Sequence, residues 1–390
     1  MRMSLLSLRA ERRVPWFGGL FDAENALAAC FRALVHRVEV SSPVYRKGPL
    51  ASPHVRRVLT STGLAHPHRI HHDPLSGTEP ADVLLVVLND LHDAAVLLGL
   101  PGWERLGEVV VMHCAEINEP ELRLYPEVVR HLQRRVDHLF VSMPCGALDG
   151  LRAHRLRTTA VVGPLLDVLA FPYRPRAVDR AVDVLNIGRR SPAQHALFKR
   201  WAEQSDGFYV FDSGYVSSVR SLADHRRLFT QLTSRSRVFV ANYAAFDKGR
   251  RGFPTPQIGA RFYEGMAGGC VLTGALPTGA PHYATVAAAE PVALDLDADR
   301  LPGELLDVLA DPAEQERRGR AARVTALREV DVVHRWREMA AHAGLPDSAG
   351  VQRRVLRLEA AARAAAAARA DGPADRVPAG RYLGGRPSRS

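Results

Sequence analysis

Residues 254–276 are the most informative segment of this chain and read PTPQIGARFYEGMAGGCVLTGAL. Apolar residues recur every four positions at Ile258, Phe262 and Met266, which predicts a short amphipathic helix with one apolar face. The pair Gly268–Gly269 follows directly, and glycine tolerates the positive φ that commonly ends a helix. The segment therefore predicts a loop, a helix and a glycine stop, in that order.

A short strand and one unusual charge complete this segment. Cys270–Thr273 reads as a buried strand that Gly274 ends, and Gly265 lets the preceding helix approach its neighbour closely. Glu264 lies in the same compact unit, one helical turn after Arg261. A carboxylate near the carboxyl end of a parallel sheet is well placed to bind the two hydroxyls of a ribose. Glu264 is therefore a candidate ribose ligand, and the alternative is an ordinary solvated glutamate.

Length and composition indicate a two-domain globular protein. The chain has 390 residues, of which 46% are apolar and 24% charged. Its formal charge of +10 comes almost entirely from arginine, because Lys47, Lys199 and Lys248 are the only lysines. The basic residues are spread along the chain rather than clustered with aromatic residues, which argues against a nucleic-acid partner. A small anionic ligand such as a nucleotide diphosphate fits the charge at least as well.

Cysteine usage and the amino terminus indicate a cytoplasmic protein. The four cysteines, at positions 30, 114, 145 and 270, have no short-range pairing pattern, so we expect reduced thiols. The first nine residues are interrupted by charge too early for a signal peptide. No apolar run approaches the length that a transmembrane helix needs.

The first half of the chain predicts a parallel α/β sheet. Phe21–Val35 reads as a helix after the Gly18–Gly19 turn. Three apolar runs read as buried strands: Val83–Leu88, Val109–Met112, which ends at His113, and Leu139–Ser142. Strands that alternate with helices in this way are typical of parallel sheets.

A second α/β series follows an extended linker. Phe171–Arg176 is punctuated by proline and reads as that linker. Val182–Ile187 reads as a strand and Gly188–Arg190 as its turn, and Ser191 is a candidate N-cap for a helix that runs to about Glu203. Further strands are expected at 208–211 and 238–241.

The predicted domain organisation has three parts. Residues 1–172 form an N-terminal Rossmann-like domain and residues 173–345 a C-terminal one. The chain is expected to be helical after Leu301, and residues 346–390 comprise an Ala-rich helix and a disordered tail.

Residues 160–345 resemble the nucleotide-sugar-dependent glycosyltransferases of the GT-B fold. The resemblance rests on a strand that ends in Ile187–Arg190, on Arg261–Thr273, and on a late helix that contains Val333–Trp336. It is greatest to the bacterial group-1 type, including the branch similar to CgeB-like spore-coat transferases. It implies two Rossmann-like parallel-sheet domains that face a cleft, with a nucleotide-sugar donor bound mainly by the C-terminal domain. The implied activity is sugar transfer from a nucleotide diphosphate donor to an unidentified acceptor.

One feature departs from the family pattern. Many group-1 transferases carry two glutamates eight positions apart, and Pro256 stands eight positions before Glu264. Gln257 is adjacent and can hydrogen-bond a sugar hydroxyl, but it carries no charge. An alternative interpretation is therefore a catalytically degenerate GT-B module that binds sugars or partners. A relative that isomerises a nucleotide sugar is a further alternative.

Candidate donor-binding residues cluster in the C-terminal half. Arg189 and Arg190 follow a strand and precede a helix, so they offer positive charge beside helix amides for a diphosphate. The alternative is a surface arginine pair. Arg261 either binds the donor or pairs with Glu264. The residues before the predicted helix offer free backbone amides to phosphate or sugar oxygens, and they are Thr255, Gln257 and Ile258.

Candidate catalytic residues come from the N-terminal half. His113 is expected just past a buried strand with Glu116 close by, and either is a candidate general base for an acceptor hydroxyl. The alternative for His113 is a structural histidine with satisfied hydrogen bonds. Gly18 and Gly19 are candidates for a turn that lets ligand approach the backbone.

No metal or additional cofactor is expected. His66–Asp73 is rich in metal-ligand residue types but lacks helical i, i+4 spacing and flanking cysteines. Asp295–Asp299 contains an Asp-x-Asp pattern, in which Asp297 or Asp299 reads better as a helix cap. The arginines favour a metal-independent reaction in which the nucleotide-diphosphate sugar is a substrate.

Overall fold

The computed structural model contains two parallel β-sheets and a helical C-terminal region. It describes residues 1–8, 18–38, 79–144, 151, 153, 159–212, 222–247 and 256–368. Within these ranges, no helix combines the length and the apolarity that crossing a membrane requires.

The first sheet has six parallel strands in the order β2-β1-β3-β4-β5-β6. The strands are β1 (Met3–Ser7), β2 (Leu34–Arg37), β3 (Ala81–Leu88), β4 (Gly107–Ile117), β5 (His138–Pro144) and β6 (Ala160–Val161). The helices of this domain are α1 (Gly18–Phe31), α2 (Leu91–Ala94), α3 (Glu119–Leu124) and α4 (Pro126–Arg135), with 3₁₀ turns at Ala95–Gly99 and Trp103–Leu106.

The second sheet has five parallel strands in the order β11-β10-β9-β7-β8. They are β7 (Val182–Asn186), β8 (Tyr209–Phe211), β9 (Ser236–Val240), β10 (Val271–Gly274) and β11 (Val292–Ala293). Its helices are α5 (Pro192–Ser205), α6 (Leu222–Ser234), α7 (Ala260–Gly268), α8 (Tyr283–Ala287) and α9 (Gly303–Ala310). The strand order reverses between β7 and β9, and the carboxyl ends of such a pair form the usual ligand crevice of a parallel sheet.

The C-terminal helices return to the first domain. They are α10 (Pro312–Thr325), a π-helical turn (Ala326–Val330), α11 (Val332–His342) and α12 (Ala349–Ala367). Both α11 and α12 pack against α1. Trp336 of α11 lies edge-on to Phe31 of α1, with 5.1 Å between the ring centroids. One apolar cluster is consequently continuous through both domains and includes Leu27, Phe140 and Phe239.

The predicted parallel α/β organisation is confirmed in both halves. The predicted strand at Val83–Leu88 is β3, and the predicted strands of the C-terminal half are β7, β8, β9 and β10. Ser191 caps α5 by accepting a hydrogen bond from the Gln194 backbone, as expected. The division at residues 172 and 173 stays a prediction, and the tail beyond residue 368 lies outside the described residues.

The structure differs from several local predictions. The sequence analysis identified neither β1 nor β2, and it extended the first helix into Leu34 and Val35, which belong to β2. β4 continues to Ile117 rather than ending at His113, because Cys114, Glu116 and Ile117 still pair with β5. Pro302 precedes α9, so neither Asp297 nor Asp299 caps that helix.

The α7 segment matches its sequence closely. Ile258, Phe262 and Met266 are buried in the shared apolar cluster, and Gly269 ends the helix with a φ of 68°. A methyl group on Gly265 would lie 2.5 Å from Leu272 Cδ2, so a larger residue here would force Leu272 to move. The helix that carries Glu264 is therefore fixed against β10.

A buried ion pair joins the C-terminal helices to the segment between the sheets. Asp331 is fully buried and accepts both Nε and Nη2 of Arg354 on α12, each at 2.7 Å. The same carboxylate accepts the backbone amides of Val168, at 3.0 Å, and Val333, at 3.1 Å. Arg354 Nη2 also donates to Asp167 at 2.5 Å. Asp331 thus ties the interdomain segment to α11 and α12.

We expect Arg354→Met to lower the free energy of unfolding by about 3–5 kcal/mol, because it leaves the buried carboxylate of Asp331 without its cation. The matched control is Arg353→Met, one position earlier on the same helix, where the side chain is exposed. The control is expected to change stability by less than about 0.5 kcal/mol. Urea-induced unfolding followed by circular dichroism measures both. Equal effects of the two substitutions would show that the ion pair is not what secures α12.

Candidate functional site

The candidate site lies at the carboxyl ends of β7 and β9. The chain after β9 lies against the start of α7, since a methyl group on Gly259 would be 3.7 Å from Ala244 Cα. Asn242 and Gln194 exchange side-chain hydrogen bonds at 2.8 and 3.1 Å. Asn242 Oδ1 also accepts the Ala275 backbone amide at 2.8 Å. These bonds hold the turns after β9 and β10 beside α5 and α7.

The turn after β7 carries the predicted arginine pair. Gly188 has a φ of 94°, and its amide donates to both carboxylate oxygens of Asp212 at 3.1 Å. Arg190 pairs with the same carboxylate and lies over the Phe211 ring, 5.5 Å from its centroid. Arg189 Nε lies 3.7 Å from Asp247, and both side chains are partly exposed. The turn therefore presents the half-exposed guanidinium of Arg189 and the guanidinium of Arg190, which Asp212 holds in place.

Glu264 lies on α7 with its side chain buried. Its residue exposure is 4%. Oε1 accepts from Arg226 Nη1 at 2.9 Å, and Oε2 accepts from Arg261 Nη1 at 2.7 Å. A carboxylate has about four lone-pair positions, so each oxygen retains capacity for a further hydrogen-bond donor.

Arg261 connects Glu264 to the β7 turn. Besides its ion pair with Glu264, its guanidinium lies over the Phe229 ring at 4.7 Å from the centroid. A methyl group on Gly188 would lie 3.3 Å from Arg261 Nη2. The contact between Arg261 and Glu264 that the sequence analysis left as one alternative is thus present, and the same side chain reaches the candidate diphosphate turn.

The first domain meets Glu264 through the start of α1. A methyl group on Gly19 would lie 3.7 Å from Glu264 Oε1 and 3.9 Å from Arg226 Nη1. The positive end of the α1 dipole consequently lies next to this carboxylate. The sequence analysis predicted a turn at Gly18 and Gly19, but these residues begin α1. The start of this helix and Glu264, which the sequence analysis treated separately, therefore share one site.

The residues before α7 differ in their surroundings. Gln257 is buried, and its backbone carbonyl accepts the Ala244 amide at 2.8 Å. The Ile258 side chain belongs to the apolar cluster, so only its backbone is available to a ligand. Thr255 lies outside the described residues. Their role in donor binding stays a prediction.

Two buried arginines secure the far end of α7. Arg180 Nη2 donates to the Gly268 carbonyl at 3.1 Å, and Arg323 Nη1 donates to the Ala267 carbonyl. Guanidinium groups at a helix C-terminus satisfy its free carbonyls and oppose its negative dipole end. Sequence reasoning did not identify these residues, because their partners are 88 and 56 positions away.

The geometry gives no support to His113 as a general base. The residue lies within β4, is fully buried, and shares a 2.7 Å hydrogen bond with Ser142 Oγ. Burial lowers the pKa of His113 from its ordinary 6.5 to about 3, so the ring stays neutral. His113 is thus buried inside a strand, but within the described residues its Nδ1 has no hydrogen-bond partner, so the alternative of a histidine with satisfied hydrogen bonds is met only at Nε2.

Carboxylates lie at the carboxyl ends of β3 and β4. Glu116, the second candidate base, is partly buried near the end of β4, and its amide donates to the Asn89 carbonyl at 2.6 Å. Burial and the nearby Asp90 charge raise the pKa of Glu121 above its ordinary 4.5. Sequence reasoning did not identify Glu121, whose surroundings come from α2 and α3. A catalytic role for Glu116 stays a prediction.

No group of three or more histidine, cysteine, aspartate or glutamate side chains that could hold a metal occurs within the ranges the structure describes. His66–Asp73 lies outside those ranges. The lack of such a group among the described residues does not bear on whether the protein uses a metal.

Comparisons with known proteins give likeness in structure alone. No family model matches the chain, and no curated protein matches it. The chain is similar to Anabaena Alr3699/HepE, solved in complex with UDP-glucose, at 11% identity and a TM-score of 0.48, covering 88% of this chain and 99% of that one. It is also similar to AviGT4, a glycosyltransferase involved in avilamycin A biosynthesis, at 15% identity and a TM-score of 0.42, covering 88% of this chain and 98% of that one. A third similar structure is that of a UDP-N-acetylglucosamine 2-epimerase, at 14% identity and a TM-score of 0.44, covering 89% of this chain and 99% of that one.

At these TM-scores the likenesses carry no argument about activity. The two parallel sheets and the helical C-terminus themselves constitute the GT-B architecture that the sequence analysis predicted. The structure thus defines a two-domain α/β protein of the GT-B type, in which the candidate site lies where the domains meet.

The burial of His113 predicts a specific pH dependence. Below pH 6.5 the unfolded chain binds a proton at this ring, whereas the folded chain does not until about pH 3. Stability contributed by His113 is therefore present above pH 6.5 and declines as the pH falls. Between pH 7 and pH 5, His113→Gln should lose about 2 kcal/mol less unfolding free energy than wild type.

Urea unfolding at the two pH values measures this difference. The control is His342→Gln at an exposed position, which should reproduce the wild-type pH dependence. If His113→Gln and wild type lose the same free energy, the ring titrates normally and is accessible to protons in the folded protein.

Proposed function

We propose that this protein is a glycosyltransferase that moves a sugar from a nucleotide diphosphate donor to an acceptor, in the manner of the group-1 and CgeB-like bacterial enzymes. The observation that carries the proposal is the buried Glu264 carboxylate at the carboxyl edge of the second sheet. It lies between arginines of its own domain and the start of α1 in the other. Carboxylates placed in this way bind ribose hydroxyls in nucleotide-binding sheets.

The donor would bind with its ribose at Glu264 and its diphosphate along the neighbouring cations. Arg261 joins Glu264 to the Gly188 turn, and Arg189 and Arg190 follow that turn. Free amides at the start of α7 face the same region and favour negative charge. Gln257, Ile258 and Thr255 precede that helix and would contribute through their backbone.

Glycosyl transfer separates a nucleotide diphosphate from an electron-deficient sugar carbon. Guanidinium groups and helix amides stabilise the charge that develops on the leaving diphosphate. In this proposal Arg189, Arg190 and Arg261 perform that task without a metal. The acceptor would approach from the carboxyl edge of the first sheet, on the side of Glu116. Closure of the two domains would exclude water from the donor.

A second candidate function is a catalytically degenerate module that binds a nucleotide sugar. Pro256 favours it, because this residue cannot provide the charge of the first family glutamate. The two candidates share donor binding and differ in turnover. Three cysteines in the described residues are free thiols, which supports a reducing, cytoplasmic location for either.

Nucleotide binding tests the proposal directly. Isothermal titration with UDP, GDP, ADP and CDP should give a saturable affinity for at least one of them. Glu264→Gln should weaken that affinity about tenfold or more, because the amide accepts fewer hydrogen bonds from a ribose and leaves Arg261 without the anion that positions it. The matched control is Glu314→Gln, since Glu314 also pairs with two arginines, Arg317 and Arg318, on another helix.

The outcomes separate the two candidates. Release of nucleotide diphosphate from a panel of nucleotide sugars supports the transferase. Binding without turnover of any donor supports the degenerate module. If Glu264→Gln and Glu314→Gln bind nucleotide like wild type, the ribose assignment is wrong.

A further inference from the structure

A single arginine connects the candidate ribose carboxylate to the other domain. Arg226 lies on α6 and donates through Nη1 to Glu264 at 2.9 Å. Its Nε donates to Asp22 on α1 at 2.7 Å. Together with Arg261, these residues form a network of two cations and two anions, which we call the Arg226 network.

The Arg226 side chain is fixed in place by its surroundings. Its residue exposure is 6%, and its guanidinium lies over the rings of Phe171 and Phe229 at 5.8 and 5.0 Å from their centroids. Burial alone lowers the pKa of Arg226, but the charges of Glu264 and Asp22 outweigh it and raise the pKa above its ordinary value. The guanidinium therefore stays charged, and it pairs at the same time with two carboxylates from different domains.

The hydrogen bonding of this arginine is incomplete. Within the described residues, Arg226 Nη2 is buried without a hydrogen-bond partner. An unpaired buried donor costs about 1–3 kcal/mol of stability. The two ion pairs of Arg226 therefore leave one buried nitrogen of its guanidinium unpaired among the described residues.

We propose that Arg226 is a positioning residue through which donor binding at Glu264 and docking of α1 at Asp22 strengthen each other. The proposal rests on the proposed function, since it takes Glu264 as the ribose ligand. Ribose hydroxyls that donate to Glu264 draw its negative charge away from Arg226. Arg226 then pairs more completely with Asp22, which tightens the contact between the domains. By thermodynamic reciprocity, loss of Asp22 weakens binding of the ribose.

The test measures nucleotide affinity after a change in the opposite domain. The probe is the nucleoside diphosphate that wild type binds best among UDP, GDP, ADP and CDP. Asp22→Asn should raise the dissociation constant of this nucleotide about tenfold, within the usual range of such couplings. Asp224→Asn is the matched control, because Asp224 pairs with Arg227 on the surface of α6. The control should bind like wild type.

The 2′,3′-dideoxy form of the same nucleotide distinguishes positioning from general damage. It has no hydroxyls to donate to Glu264, so Asp22→Asn should leave its affinity unchanged. In the Glu264→Gln background, Asp22→Asn should likewise have no effect on the ribonucleotide. Arg226→Lys provides a second variant, because it keeps the charge but replaces the planar guanidinium that contacts both carboxylates. It should show the same selective loss.

The result that overturns the inference is an equal effect of Asp22→Asn on the ribonucleotide and its dideoxy form, or no effect on either. Additive effects of Asp22→Asn and Glu264→Gln would overturn it as well. These outcomes leave the proposed function intact, because wild type still binds the nucleotide. Absence of nucleotide binding by wild type would overturn the proposed function and this inference together.

Discussion

The buried pair of Asp331 and Arg354 is the interaction on which the arrangement of the two domains depends. Asp331 is fully buried and receives two bonds from Arg354 and two from backbone amides, one of them in the segment between the sheets. A buried carboxylate is tolerated only when charge and hydrogen bonds compensate its lost hydration. Burial lowers the pKa of Arg354, but Asp331 and Asp167 raise it above its ordinary value, so the guanidinium stays charged.

This pair positions the candidate site indirectly. It fixes α11 and α12, and both helices pack against α1 of the first domain. The start of α1 in turn lies beside Glu264 of the second domain. The site therefore consists of parts from both domains, and their separation is set by helices that contribute no candidate ligand themselves.

Local sequence patterns were sufficient for much of the second domain. The apolar period of Ile258, Phe262 and Met266 depends only on neighbouring residues, and α7 forms where that period predicts. The first domain was harder to predict. β1 and β2 are short. β2 is an exposed edge strand in which the two apolar residues are consecutive and do not alternate with polar ones. β1 is recognised as a strand through its pairing with β3, which lies far along the chain, and β2 through its pairing with β1.

The role of His113 illustrates the limit of a local pattern. The apolar run before it predicted a strand end, and a histidine at a strand end is a plausible base. The strand continues because its polar residues are accommodated by β5 and by Ser142. Whether a polar side chain ends a strand or is buried within it depends on the neighbouring strand, which no local pattern reveals.

By itself the sequence determined the two parallel α/β series, the helix α7 and the place of Glu264 on it, because these follow from the periodicity of adjacent residues. Only the tertiary structure decided what surrounds Glu264. Asp22 and Arg226 are 204 positions apart, and Arg226 and Glu264 are 38 apart. A charge is buried and paired only once distant segments have packed, so the burial and the ion pairs of Glu264 can be read only from the folded structure.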